Sequence, residues 1–218
     1  MLNLICRALV MLIVIPFHES AHALVSWKLG DDTAKRMGRL SLNPLHHLDP
    51  MGALCMIVAG VGWAKPVPTA AYRFRDPKKG MALTALAGPV SNFLLAIVSM
   101  ILYKMVVYAT VPFGTDGTLL VSFVTMFLYY MIIMNVSLGV FNLIPIPPFD
   151  GSRVLLTFLP QKYYFKIMQY EHYIFIGLFV ILMLGFLDGP LGFLNLQTMR
   201  LLDGATRFVD QIAYAILY

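Results

Sequence analysis

Four long apolar runs constrain this chain more than any other feature of its sequence. They read ALVMLIVIPF (8–17), FLLAIVSMIL (93–102), LLVSFVTMFLYYMIIM (119–134) and YIFIGLFVILMLGFL (173–187). A transmembrane helix needs about 20 mainly apolar residues, and several runs reach that length once their weakly polar flanks are added. Only 12% of the residues are charged, about half of the roughly 25% typical of soluble domains. The chain is therefore expected to be a polytopic membrane protein.

The spacing of these runs predicts an all-α fold with about five to six transmembrane helices. The first three helices are expected at about Leu4–Leu29, Met81–Val107 and Thr118–Asn142. Three prolines between residues 145 and 148 should end the third helix at membrane depth. Such a break is tolerated only where protein or a water-filled cavity surrounds it.

Shorter segments complete the predicted architecture. Segment 51–63 is apolar but too short for a span, so a small re-entrant or β-like element is predicted near residues 40–74. Further helices are expected at about Ser152–Leu159 and Glu171–Leu187. Residues 192–218 fit either a last span or an interfacial amphipathic helix, and the sequence does not decide between them.

The chain is interpreted as a single membrane-embedded domain over residues 1–218. Its core is expected at about 4–160, with C-terminal helices at 161–218. The first apolar run lacks the cleavage site of a signal peptide, so it is expected to be a retained helix. No segment is long or polar enough to predict a soluble module that folds alone.

Charge placement predicts the topology. The net charge is +5, and the basic residues cluster in the loops on both sides of segment 51–63 and again at 153–166. Loop 108–118 has none. If 51–63 re-enters, these basic loops share the cytoplasmic side of the membrane, and the functional site lies nearer that face. No basic helix face indicates nucleic-acid binding.

The motif that carries chemistry is H-E-x-x-H, formed by His18, Glu19 and His22 in the first apolar helix. The i, i+4 spacing puts both imidazoles on one face, one turn apart, where both can bind one zinc ion. Glu19 lies beside them, where its carboxylate can accept a proton from the attacking water. A catalytic zinc has three protein ligands, so one more is required elsewhere.

A chance match is the alternative explanation of this motif. Three fixed residues in five recur by chance in about one chain of this size in a hundred. However, three ionisable groups within an apolar helix cost on the order of several kcal/mol unless a partner compensates them. A zinc ion compensates all three, and this favours the metal site.

Asp150 is the best candidate for the third ligand. It follows the third helix in the proline-broken stretch NLIPIPPFDG (142–151) and precedes Gly151, which is expected to free the backbone. Asp150 could instead cap the next helix. Considered alone, the two interpretations have equal weight, and the H-E-x-x-H motif decides in favour of the ligand.

Together these residues resemble the site-2 protease family of intramembrane zinc metalloproteases, in its short prokaryotic form without PDZ or CBS domains. The resemblance rests on HESAH (18–22) and on the N-x-x-P-x-x-x-x-D-G segment at 142–151. It covers about residues 10–160, with Phe149 in place of the leucine usual before Asp-Gly. Three more stretches are similar to family members: LNPLHHLDP (42–50), GWAKPVP (62–68) and AGPVSN (87–92).

The resemblance implies a zinc metalloendopeptidase that cuts transmembrane protein substrates within the bilayer or at its edge. It implies one Zn²⁺ per chain, bound by His18, His22 and Asp150, with Glu19 as catalytic base. Asn92 is implied to contact the substrate or the oxyanion, although a helix–helix hydrogen bond would also explain a buried amide. Further substrate contacts are expected at matching positions: Asn142, Lys65 and Pro66.

A polytopic transporter or a non-catalytic zinc scaffold is the competing function. A transporter would show internal repeats and paired broken helices, and a structural zinc would have four protein ligands. The sequence shows one broken helix, no repeat and no fourth cysteine or histidine at depth. Cys6 and Cys55 are interpreted as buried fillers, and His46 and His47 as solvated or bonded to backbone.

Overall fold

The computed structural model of the chain describes residues 2–49, 51, 65–110, 112 and 114–217. Regular structure in these residues is helical, with short 3-10 turns at Pro44–His46 and Ala71–Arg73. The α-helices are α1 Leu2–Lys28, α2 Thr33–Arg36, α3 Pro77–Thr110, α4 Leu119–Asn142, α5 Asp150–Thr157, α6 Gln161–Gln169, α7 Glu171–Met183, α8 Asp188–Ala205 and α9 Arg207–Leu217.

Helices α1, α3 and α4 are each long and apolar enough to cross a bilayer. Helices α7 and α8 meet that test only as a pair, and they are bent by 85° at the break between them. The described residues therefore hold three candidate spans, or four if the bent pair is one span. This confirms a multi-pass membrane protein whose regular structure is helical in the part of the chain that the structure describes. The predicted count of five to six spans is not confirmed.

The three spanning helices begin and end close to their predicted bounds. Pro16 in α1 and Pro89 in α3 lie inside unbroken helices, which membrane proteins tolerate because neighbouring groups can satisfy the freed backbone. Helix α4 ends at Asn142, directly before the proline-rich stretch. Proline lacks an N–H donor and clashes with the preceding turn, so the helix stops there as predicted.

One compact unit of the chain comprises Met1–Val14, Asn92–Val140 and Gly189–Tyr218. Its larger apolar core is built from α3, α4 and α8, and a smaller one joins α1 to α4. The buried members of the two cores are Ala96, Met100, Ile132, Val136, Val140 and Leu202, and Val10, Val14 and Met131. Lys104 adds ion pairs at 2.8 Å to Asp203 and 2.7 Å to Asp210.

The other unit comprises Ile15–Ser91 and Phe141–Asp188. It contains the second half of α1 with the H-E-x-x-H motif, the first turns of α3, and helix α5. The predicted metal ligands and the residues that pack around them all belong to this unit. Asn92 is the one predicted site residue that belongs to the first unit.

The prediction for residues 40–74 is tested only at its two ends. The re-entrant segment 51–63 lies outside the described residues except for its first position. The flanking described residues form two 3-10 turns and an irregular segment at 65–70, and no β-strand occurs in them. The β-like element therefore stays a prediction.

Candidate active site

Helix α1 presents the two histidines of the H-E-x-x-H motif on one buried face. His18 is 6% exposed and His22 is 9% exposed. Their Nε2 atoms lie 3.0 Å apart, and the rings are nearly perpendicular with centroids 4.6 Å apart. The i, i+4 spacing thus directs both nitrogens to one point, as the sequence predicts.

Asp150, the first residue of α5, brings a carboxylate to the same point. Its Oδ2 atom lies 3.2 Å from His18 Nε2 and 3.3 Å from His22 Nε2. Apart from these two contacts, this buried oxygen has no hydrogen-bond partner. A buried carboxylate without full hydrogen bonding requires a cation, so the arrangement favours the ligand interpretation. The cap of α5 is Phe149, without a side-chain hydrogen bond.

The spacing of these three atoms fits a tetrahedral zinc ion. Ligand atoms about 2.0–2.2 Å from such an ion are separated by about 3.3 Å or slightly more. The three separations in the structure are 3.0, 3.2 and 3.3 Å. Among the described residues this is the one group of three possible metal ligands. Two imidazoles and one carboxylate form a donor set that catalytic zinc uses, with one position left open.

A backbone carbonyl fixes the orientation of His22. Its Nδ1 atom lies 2.7 Å from the carbonyl oxygen of Thr84 on α3. A carbonyl can only accept, so Nδ1 carries the proton and Nε2 keeps its lone pair for the metal. Such an outer hydrogen bond orients a metal-binding imidazole and raises its basicity. This contact could not be predicted from the sequence, because a backbone carbonyl has no sequence signature.

Gly88 allows α3 to approach the two histidines. A Cβ atom at this position would lie 2.4 Å from His22 Nε2 and 2.5 Å from His18 Cε1. Any side chain would therefore displace the imidazoles or occupy the metal position. In the sequence, Gly88 stands out only as part of stretch 87–92, which is similar to family members. Its contact with the two histidines is visible only in the folded chain.

Gly151 has a similar role on the carboxylate side. A Cβ atom there would lie 2.3 Å from the carbonyl oxygen of Leu143 and 2.8 Å from that of Ile144. The glycine was expected to give conformational freedom, but it instead permits close packing of α5 on the chain that follows α4. This contact sets the position of Asp150 at the start of α5.

A cavity of about 380 Å³ lies beside the ligand atoms. Glu19 lines the cavity, and its carboxylate makes no hydrogen bond or ion pair with a described residue, so it can contact a water molecule or a substrate. Of the predicted substrate contacts, Asn142 and Pro66 also line this cavity. Lys65 does not line it. It lines a separate surface cavity together with Arg39.

Asn92 is fully buried in α3. Its Nδ2 atom donates a hydrogen bond of 2.9 Å to Oδ1 of Asn135 on α4. This is the helix–helix contact considered as the alternative to a catalytic role. The hydrogen bond gives Asn92 a structural partner and leaves its part in catalysis as a prediction.

Segment 65–70 is held beside the cavity at both of its ends. The buried Arg39 donates to the carbonyls of His46, Lys65 and Pro66, with the last two bonds 2.8 and 2.9 Å long. At the other end, the Ala70 N–H donates to Asp31 Oδ2 at 2.7 Å. The sequence did not single out either charged residue.

Asp31 is fully buried and is the centre of a small hydrogen-bond network. Thr33 donates to Oδ1 from both its hydroxyl and its backbone N–H, and Ser26 donates to Oδ2 at 3.2 Å. Burial alone would raise the pKa of this carboxyl, but the hydrogen bonds from Thr33 and Ala70 lower it below its usual value. Asp31 therefore stays ionised and holds segment 65–70.

The remaining histidine pair bonds to backbone, as the sequence suggested. His46 Nδ1 lies 2.9 Å from the carbonyl of Gly38, and His47 Nε2 lies 2.6 Å from the carbonyl of Ser41. Both contacts stabilise the described loop that follows α2, at residues 38–47.

Comparisons with known proteins agree with this chemistry. Residues 105–185 match Peptidase family M50. YwhC of Bacillus subtilis, named as a candidate zinc metalloprotease, is 40% identical over 181 residues, which cover 79% of this chain and 78% of YwhC. No solved structure matches the chain.

More distant relatives are named as zinc metalloproteases as well. Rip2 of Mycolicibacterium smegmatis, again a candidate, is 28% identical over 63% of this chain and 51% of its own length. MJ0392 of Methanocaldococcus jannaschii is 33% identical over 45% of this chain and 25% of its own length. The chain thus spans about half of Rip2 and about a quarter of MJ0392.

Proposed function

This chain belongs to peptidase family M50 and is a zinc metalloendopeptidase, and we propose that it cuts membrane-protein substrates within the bilayer or at its edge. We assign the zinc ligands to His18, His22 and Asp150, and the general base to Glu19. The observation that carries the assignment is the convergence of three ligand atoms from α1 and α5 at separations of 3.0–3.3 Å.

The residues of the site divide the chemistry between them. Zinc, when bound, supplies a Lewis acid for the scissile carbonyl and lowers the pKa of water to about 7. Glu19 accepts the proton of the attacking water and passes it to the leaving amine. The Thr84 carbonyl keeps His22 in the tautomer whose Nε2 faces the site.

The substrate backbone must be exposed before it can be cut. A substrate helix hides its carbonyls in i→i−4 hydrogen bonds, so substrates should carry helix-weakening residues near the cut. Segment 65–70 offers a place for an unwound chain, because Pro66, Val67 and Thr69 line the cavity. An unwound substrate could pair with the backbone of this segment by strand addition.

Two further assignments extend this proposal. Asn92 is retained as a proposed contact to the substrate or the oxyanion, supported by its place one helical turn after Gly88 on α3. Segment 51–63 is proposed to re-enter the membrane, which puts the basic loops and the active site toward the cytoplasm of a prokaryotic cell.

Two variants test the assignment of the site. His22→Ala should lose both the zinc and the activity, because it removes a ligand. Glu19→Gln should keep one zinc per chain and lose peptide hydrolysis by a factor of at least about 100, because it removes only the base. Zinc would be measured by mass spectrometry and hydrolysis with a single-span membrane-protein substrate. Purified wild-type protein without zinc, or an active Glu19→Gln, would contradict the assignment.

A further inference from the structure

Arg153 lies next to the metal ligands and has no assigned role. It follows Asp150 by three residues on α5, so the two side chains share one face of the helix with Cβ atoms about 5–6 Å apart. Arg153 is partly buried and lines the same cavity as Glu19 and the ligands. Its guanidinium group is therefore within reach of a chain bound in that cavity.

The charge of Arg153 is not neutralised within the described structure. No described carboxylate oxygen lies within 4.0 Å of its guanidinium, although Glu19 and Asp150 line the same cavity. Three other arginines of this unit do have partners. Arg36 and Arg73 pair with Asp32 at 2.8 and 2.6 Å, and Arg39 is bonded to three carbonyls.

The charges that line the cavity favour an anionic ligand once zinc is bound. Glu19 and Asp150 are the acidic residues that line it, and Arg153 is the basic one. The two carboxylates balance the two charges of the zinc ion, and Arg153 then gives the cavity a net positive charge. The guanidinium of Arg153 is partly buried, and its donors make no hydrogen bond with any of the described residues. Such a group is matched best by a carboxylate, which it can bind through two parallel hydrogen bonds.

We propose that Arg153 forms a subsite for a carboxylate of the substrate, an aspartate or glutamate side chain close to the scissile bond. An extended peptide advances about 3.3–3.6 Å per residue. The Cβ atom of Arg153 lies about 5–6 Å from that of Asp150, so its side chain can contact a position within two or three residues of the cut. The inference rests on the proposed function and names a substrate class for that site.

Cleavage specificity tests this subsite. The full-length zinc-loaded protein in detergent would be incubated with a proteome-derived peptide library, and the cut sites read by mass spectrometry. Wild type should enrich acidic residues at one position within three residues of the cut. Arg153→Gln should lose that enrichment, and Arg153→Glu should replace it with lysine and arginine. Arg75→Gln, which changes an exposed arginine outside the cavity, should keep the wild-type preference.

An equal effect of Arg153→Gln on all peptides would overturn the inference. If Arg153→Gln slows the cutting of all peptides equally and leaves the preference unchanged, Arg153 acts on the scissile carbonyl or on the fold. Zinc content and thermal melting of each variant separate these two outcomes. A wild-type protein without any acidic preference would also overturn the subsite.

A binding measurement separates this inference from the proposed function. Zinc-loaded Glu19→Gln protein would be titrated with fluorescent peptide twins that differ by glutamate or glutamine. Both peptides of a pair would have the sequence of the best-cut library peptide. If no peptide is cut, they would be alanine–leucine peptides in which the single glutamate or glutamine is placed at each position in turn. The glutamate twin should bind about tenfold more tightly, and Arg153→Gln should remove the difference. Equal binding of the twins overturns the subsite, whereas absent cleavage by wild type overturns the proposed function.

Discussion

At the scale of single residues, the site depends on the missing side chain of Gly88 on α3 as well as on the residues proposed as ligands. Gly88 has no side chain, and this allows the imidazoles of His18 and His22 to lie against the helix backbone. Thr84, one turn earlier, contributes a carbonyl to His22 rather than its hydroxyl. One short stretch of α3 therefore shapes the site and orients His22, one of the proposed ligands.

Gly88→Ala should abolish the zinc site. The new Cβ would lie 2.4 Å from His22 Nε2, so the imidazole must move away from the shared point. Zinc affinity should fall by at least about 10–100-fold, with loss of activity. Isothermal titration with zinc would measure the affinity. Gly177→Ala on α7 is the matched control, because no atom lies within 4 Å of its new Cβ. Unchanged zinc binding in Gly88→Ala would refute this packing argument.

The role of Asn92 can be tested by comparing its variant with a variant of Asn135, its hydrogen-bond partner. Asn92→Ala and Asn135→Ala both break the 2.9 Å hydrogen bond between α3 and α4. If Asn92 contacts the substrate, Asn92→Ala should lower turnover at least about tenfold, and Asn135→Ala should leave it near wild type. Turnover per folded molecule and thermal melting would be measured for both. Equal effects of the two variants would assign Asn92 to helix packing alone.

At the scale of elements, the cavity has one side built from irregular backbone. Segment 65–70 is neither helix nor strand, so no internal ladder of hydrogen bonds holds it in place. Two buried charged side chains do so instead: Arg39 binds its first carbonyls and Asp31 binds its last N–H. These contacts keep Pro66, Val67 and Thr69 beside the proposed metal ligands.

Asp31 should make this part of the chain sensitive to acid. Its folded pKa lies below the usual value, so the stability it contributes is present above the unfolded pKa of about 3.9. That stability is lost as the pH falls further, through the folded pKa. At pH 7, Asp31→Asn should lower the free energy of unfolding by about 1–3 kcal/mol. The difference between wild type and variant should shrink below pH 4.

Thermal melting of both proteins between pH 7 and pH 3 measures this difference. Any acid-induced loss of zinc affects both proteins, so it does not alter the comparison. A difference that is independent of pH would show that the charge of Asp31 is not what stabilises segment 65–70.

At the scale of the whole molecule, the membrane topology decides from which side water and the ends of a substrate chain reach the active site. Three described helices are long and apolar enough to span the membrane, and the bent pair α7–α8 can add a fourth candidate span. The basic loops lie together only if segment 51–63 re-enters. This links the orientation of the active site to a segment outside the described residues.

Single-cysteine labelling tests that orientation. Cysteines at Thr33, Arg75 and Lys162, in a background without Cys6 and Cys55, should all react only from the cytoplasmic side. The reason is that 51–63 would not cross the bilayer and that α3 and α4 together return the chain to the same face. A membrane-impermeant maleimide would be applied to intact cells and to inverted vesicles. Labelling of Thr33 and Arg75 from opposite sides would exclude the re-entrant segment and strand capture beside it.

Much of the fold could be predicted because the membrane imposes simple rules. Apolar runs of sufficient length must be helices, and α1, α3 and α4 begin and end near the positions read from the sequence. The 85° bend between α7 and α8 was not predicted, because one apolar run across residues 173–187 gives no local signal of where it bends. Shorter elements such as α2 and the 3-10 turns depend on contacts with distant residues.

The sequence by itself determined the pairing of His18 and His22, the proposed zinc ligands on α1, since the i, i+4 spacing follows from helix geometry alone. It also nominated Asp150, although spacing could not separate a ligand from a helix cap. Only the tertiary structure brought Asp150 Oδ2 within 3.3 Å of both imidazoles. Only it revealed that Gly88 and the Thr84 carbonyl contact the histidines, and that Arg39 and Asp31 hold segment 65–70. The physical reason is that a helix fixes neighbours one turn apart, whereas contacts between residues far apart in the chain depend on close packing that no local pattern records.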